Sequence, residues 1–212
     1  MVSITEYLKF VKALESHPAN LTVTAKIPEF EGLNVARLIH CALGLSTEAL
    51  ELLEQHRGAS RDNQIREVGD ISFFATMLCD ELGCLPTDAE LKAAPLVKIN
   101  TLCTLCEDVA SRIKAGLFYG TPVKPNDPPG YWKHSAKNIL MWAHAIPRNS
   151  GGTDVFKVIM TKLETRYKAK TFDPKAAVNR DTKQEDAASA AVITGVPPKP
   201  KSTLELLGSL QR

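Results

Sequence analysis

Four carboxylates stand out by their spacing. Glu48 and Glu51 are three residues apart, as are Glu67 and Asp70, and residues at that interval on an α-helix project from one face. Apolar residues surround both pairs: Ala49 and Leu50 lie inside the first, and Ile71-Ser72-Phe73-Phe74 follows the second. Acids at the edge of a hydrophobic core repel one another and are costly to desolvate unless a cation lies among them. An all-oxygen donor set suits a hard divalent ion, Mg²⁺ or Mn²⁺, which keeps several waters and accepts phosphate oxygens. That is the ligand set of a metal-assisted enzyme acting on phosphoryl groups. The plainer alternative, solvated acids on helix surfaces, suits any single Glu-x-x-Glu and in particular Glu54, one turn on and near a helix end.

Apolar residues recur at three- and four-residue intervals through most of the chain, and period-two alternation is scarce apart from Leu21-Thr22-Val23-Thr24. The fold is therefore expected to be all-α, an antiparallel helical bundle. A short accessory helix spans about Ile4 to Leu14. The acid-bearing helices run from about Asn34, as N-cap, to His56, and from about Gln64 to Leu82, with Gly83 as the stop. The first turns Val35, Leu38, Ile39, Ala42, Leu43, Ala49, Leu50 and Leu53 toward a core. The second uses Ile65, Val68, Ile71, Phe74, Ala75 and Leu78. A connection this short makes the two helices antiparallel neighbours, which sets one acidic pair against the other. Thr87-Asp88-Ala89-Glu90 has the form of a capping box, and Pro95 introduces a helix to about Phe118. A Pro/Gly-rich loop follows, then helices from Trp132 to Ala145, stopping before Pro147, and from Asp154 to Lys168. Asp173-Pro174 starts a short segment, and residues 186–212 are expected to be a flexible tail.

Composition excludes several classes. The chain has 212 residues, 44% hydrophobic, with a formal charge of +2, so it carries no overall field for a nucleic-acid partner. No apolar stretch approaches a membrane span and no leader pattern opens the sequence, which reads as cytoplasmic with no membrane partner. The five cysteines, at 41, 79, 84, 103 and 106, sit in apolar helical patterns as reduced thiols. Cys103-x-x-Cys106 lacks the second ligand pair of a zinc site, and the five histidines do not cluster with it.

Ala42 to Leu53 and Arg66 to Phe74 resemble the two signature helices of the MazG-like all-α nucleotide pyrophosphohydrolases: Glu-x-x-Glu, a variable gap, then Glu-x-x-Asp. Lys162-Leu163-Glu164-Thr165-Arg166-Tyr167, Phe172 and Ala177-Val178-Asn179-Arg180-Asp181 are similar to the closing segment of phage-type members, so the likeness spans about residues 34 to 182. The resemblance implies Mg²⁺-dependent hydrolysis of a nucleoside or deoxynucleoside triphosphate to the monophosphate and pyrophosphate. Glu48, Glu51, Glu67 and Asp70 would be the catalytic metal ligands and water the nucleophile. Lys168, Asn179 and Arg180 would touch phosphate or nucleotide, with Lys114 a further substrate contact. It also implies a homodimer or homotetramer. On this reading the catalytic domain covers residues 1–185, with motif helices at 34–83, an extra helical region at 97–150 and a closing segment at 153–182.

The extra region sets the chain apart from compact members. Lys114-Ala115-Gly116-Leu117-Phe118-Tyr119-Gly120 resembles an element they carry between the acidic motifs, whereas here it follows the second. The order Glu107-Asp108, Phe118-Tyr119-Gly120, Asn138-Ile139-Leu140-Met141-Trp142 suggests a degenerate second copy of the helix pair, with Asn138 in the place of Asp70. Phe118, Tyr119, Lys114 and Trp142 then serve either a base pocket or the core. Two other functions compete: a nucleotide-binding scaffold or sensor without turnover, which four intact acids disfavour, and a di-iron carboxylate bundle, which needs Glu-x-x-His pairs that the chain lacks.

Overall fold

The computed structural model describes residues 1–15, 27–56, 58, 60–121, 127, 129–149 and 151–196. Among them it is all-α, with no strand: α1 (Ile4–Leu14), α2 (Val35–His56), α3 (Arg61–Glu81), α4 (Asp88–Ala93), α5 (Ile99–Lys114), α6 (Tyr131–Asn149), α7 (Val155–Arg166), α8 (Pro174–Val178) and α9 (Thr182–Thr194). A 3₁₀ turn at Pro28–Phe30 precedes α2, and a π turn at Ala115–Tyr119 ends α5. The Leu21–Thr24 stretch, the Pro/Gly-rich loop from 122 to 126 and the tail from 197 onward lie outside the described residues. No helix among the described residues is long and apolar enough to cross a membrane.

α3 is the central helix, packed by α1, α2, α6, α7 and α9. Its pairing with α2 is antiparallel. Arg37 at the start of α2 meets Asp80 and Glu81 at the end of α3, the Gly44 backbone meets the Phe74 ring, and Asn63 donates to Gln55 beside the connection. Local chemistry fixes the ends. Ser60 accepts from the Asn63 N–H at the start of α3, and Asn34 accepts from the Arg37 N–H at the start of α2. The helix pair α5–α6 lies alongside, α5 against α2 and α6 against α3, so the extra region doubles the bundle.

Gly44 is required by a close approach: a β-carbon there would fall 2.4 Å from the Phe74 ring. Gly44→Ala should therefore push that ring aside and lower stability by about 1–3 kcal/mol, the usual cost of overpacking. Urea denaturation checks this, and an unchanged midpoint would contradict it.

Several expectations need correcting. α3 begins at Arg61 rather than Gln64, because Ser60 caps a first turn that carries no apolar residue. Leu43 and Leu50 are 65% and 57% exposed; the buried stripe of α2 runs instead through Leu38, Cys41, Ala42, Leu45, Ala49 and Leu52. The capping box at Thr87 starts a separate short helix, α4, and residues 95–98 are not helical. α6 does not stop before Pro147 but continues to Asn149. Pro147 has no N–H to donate to the carbonyl four residues back, so this last turn forgoes one helical bond. Arg148 ties that turn to α4 by donating to the carbonyls of Leu91, Lys92 and Ala94. Residues 186–194 are not tail: they belong to α9, whose Glu185 is buried against Arg166 of α7.

Candidate active site

The antiparallel α2–α3 pair brings the two acidic motifs together. Glu48 of α2 and Glu67 and Asp70 of α3 each offer a carboxylate oxygen within 4.8 Å of the others. Glu51, one turn further along α2, is exposed and lines the same cavity without joining that close triad. Behind Asp70, the Ser72 hydroxyl donates to the Gly69 carbonyl at 2.6 Å and so receives the Tyr7 hydroxyl at 3.0 Å. This fastens α1 to the acid-bearing turn of α3.

The fourth wall comes from α7. Lys162, only 7% exposed, donates to Asp70, and Arg166 lies four residues on along the same face. Arg166 is engaged by Glu185 at 2.8 and 2.6 Å, and Arg180 reaches the same carboxylate at 3.5 Å, so α9 is clasped to α7 at the rim. Arg66 pairs with Asp186 across the opening. The cavity, open to solvent at its rim, has a volume of about 340 Å³, within the ~300–1,000 Å³ typical of small-molecule sites. The lining includes the four acids, the basic side chains Arg66, Lys162, Arg166 and Arg180, and the rings of Phe73, Phe74, Tyr167, Phe172 and His40. His40 meets the Phe74 ring edge-on, centroids 5.4 Å apart.

The electrostatics reflect crowding of like charge out of water. Burial raises the Glu48 carboxyl to about 8, with Asp70, Glu51 and Glu67 adding to the effect and Lys162 opposing it. Glu67 is raised to about 7, again by burial first and then by Asp70. Lys162 is raised as well: burial works against its charge, but Asp70 and Glu67 outweigh burial. One buried ammonium thus compensates part of a cluster with more negative charge than it can neutralise. The donor set is all oxygen and the deficit is cationic, so the residues fit a hard divalent metal ion.

The four acids therefore meet at one cavity. Of the other expected contacts, Arg180 lines it, whereas Lys168, Asn179 and Lys114 are exposed and do not. Phe118, Tyr119 and Trp142 do not line it either. Asn138, expected to mirror Asp70, hydrogen-bonds the His134 ring one turn back on α6. Lys162 and Arg166 were not singled out from sequence; the signal for them was two cations four apart on a helix of the closing segment. His40 had no signal, since its role depends on which face of α2 meets Phe74. No protein-family model, curated protein or solved structure matches this chain.

Proposed function

We propose that the chain is a divalent-metal-dependent nucleotide pyrophosphohydrolase, cleaving a nucleoside or deoxynucleoside triphosphate to the monophosphate and pyrophosphate. The observation that carries this reading is the convergence of Glu48, Glu67 and Asp70 beside a buried lysine that bonds Asp70, in a cavity that aromatic side chains also line. The resemblance of both acidic motifs to the MazG-like family supports it independently of the geometry.

Glu48, Glu67 and Asp70 would hold Mg²⁺, with Glu51 completing the set from the open side. A bound Mg²⁺ supplies neutralisation of phosphate charge and acidification of water. Lys162, paired with Asp70, and Arg166 one turn on would present positive charge to the phosphates beside the acids, where such charge counts most at the transition state. Phe73, Phe74 and Phe172 line the cavity and would give the base an apolar surface, while the Arg166–Glu185 pair holds α9 at its rim. The preferred base and sugar depend on these side chains and on His40.

The pH dependence of stability follows from the raised carboxyls. Their folded-state values, about 8 and about 7, lie above the ordinary 4.5, so their contribution to stability is complete below the ordinary value and is lost as pH rises through the folded ones. With chelator present, Tm should fall between about pH 5 and about pH 9, and Mg²⁺ should recover more of it at the alkaline end, where no proton competes for the carboxylates. Adding a triphosphate together with Mg²⁺ should raise Tm beyond either alone. Thermal unfolding over a nucleotide panel checks both points; no Mg²⁺-dependent shift at any pH would remove the metal from the account.

A further inference from the structure

Where α3 ends, two thiols are held against each other. Cys79 lies in its last turns and Cys84 follows Gly83, whose φ of +62° reverses the chain. The Cys84 N–H donates to the Cys79 carbonyl at 2.8 Å, the long-range bond of a Schellman turn. Disulfides form only where α-carbons stand close, about 4.4–6.8 Å apart, and this backbone bond joins the same two residues. Their side chains lie close enough for each thiol to shift the titration of the other.

The two differ in access and in charge. Cys79 is fully buried and Cys84 is half-buried. The adjacent Cys79 thiol, with Lys133 and Lys137 of α6 nearby, holds the Cys84 thiol below its usual range although burial opposes this. Burial pushes Cys79 well up, with Cys84 and the buried Cys41 adding to the effect. A partly exposed, thiolate-prone cysteine beside a second thiol is the arrangement found in peroxide-sensitive sites.

We propose that Cys84 and Cys79 form a hydroperoxide-sensitive pair, Cys84 reacting first and Cys79 resolving it into a reversible disulfide across the end of α3. The Cys84 thiolate attacks one peroxide oxygen, the O–O bond breaks, and the departing oxygen leaves as water after taking up a proton, giving a sulfenic acid. The Cys79 sulfur then displaces that hydroxyl from the Cys84 sulfur. The hydroxyl leaves as water with the Cys79 proton, so two thiols and one peroxide give one disulfide and two waters. A dithiol reductant restores both thiols.

The test is dilute hydrogen peroxide on the full chain, followed by tryptic mapping without reduction. Cys79 and Cys84 share one tryptic peptide, which is expected to lose two hydrogens while Cys41, Cys103 and Cys106 stay alkylatable. In Cys79→Ser a dimedone-type probe should label Cys84, and in Cys84→Ser it should label nothing. If Cys79→Ser fails to fold, competition on the wild-type protein decides the matter: Cys84 should consume peroxide faster than added glutathione. A linkage through Cys41, or a Cys84 no faster than glutathione, would overturn the proposal.

Discussion

Glu67→Gln is expected to lower turnover by ~10²–10³-fold, the scale on which loss of one charge-stabilising group in a preorganised site is felt. The substitution keeps shape and hydrogen-bonding length and removes only charge. Glu67 is one of three carboxylates with oxygens within 4.8 Å of one another, and Gln cannot supply the anionic ligand a hard cation needs. Helicity should stay unchanged, because relieving like-charge crowding does not disturb the α2–α3 packing. In chelator the variant should melt no lower than wild type at alkaline pH, since a neutral group replaces one that burial and Asp70 push up to about 7. Glu54→Gln, by contrast, should leave turnover unchanged: Glu54 is exposed and outside the cavity. Equal loss in both variants would place the reacting centre on another face of α2.

The second large effect belongs to Lys162. Lys162→Met keeps most of the volume of a buried side chain but removes the ammonium that pairs with Asp70. Breaking a buried ion pair from one side leaves an uncompensated charge and costs about 3–5 kcal/mol, so the metal-free variant should unfold at a markedly lower temperature. Mg²⁺ should recover much of that loss by supplying charge to the same carboxylates. Activity should not return with it. If Lys162 also faces the phosphates, kcat/KM stays about 10²-fold down even at saturating Mg²⁺, as for removal of one such contact. Recovery of both stability and activity would reduce Lys162 to a structural counter-ion.

Part of this centre was legible in the sequence because its information is local. Glu-x-x-Glu and Glu-x-x-Asp state their own geometry: three residues apart on a helix is one face, and the short connection dictates which helix the face meets. The end of α1 and the start of α2 were readable for the same reason, from the apolar pattern that stops at Leu14 and the cap at Asn34. Lys162 was not readable as a site residue. Its partner Asp70 is 92 positions away, and a lysine in a helix looks solvated until tertiary packing buries it. Lys168 misled for the opposite reason: α7 ends at Arg166, and the chain leaves helical geometry at Tyr167 before Lys168 is reached. Pro147 and α9 show tertiary contacts overriding local signals, through Arg148 on α4 in one case and through the Arg166–Glu185 pair in the other.

The wholly polar start of α3 and the exposure of Leu43 and Leu50 mark the limits of periodicity. A helix with apolar residues on more than one face does not announce which stripe is inward. On α2 the choice falls to the face that meets α3 and α5, and with it falls the placement of His40 on the cavity.

Chromatographic product analysis would show whether a triphosphate is cleaved between its α- and β-phosphates. Each ribo- and deoxynucleoside triphosphate would be incubated with the full chain in Mg²⁺, in Mn²⁺ and in chelator. The account predicts monophosphate and pyrophosphate in equal amounts from at least one nucleotide, with nothing formed in chelator and nothing from Glu67→Gln. Diphosphate plus orthophosphate, products that persist in chelator, or no product from any nucleotide that raises Tm would contradict it; the last outcome would make the chain a nucleotide-binding sensor.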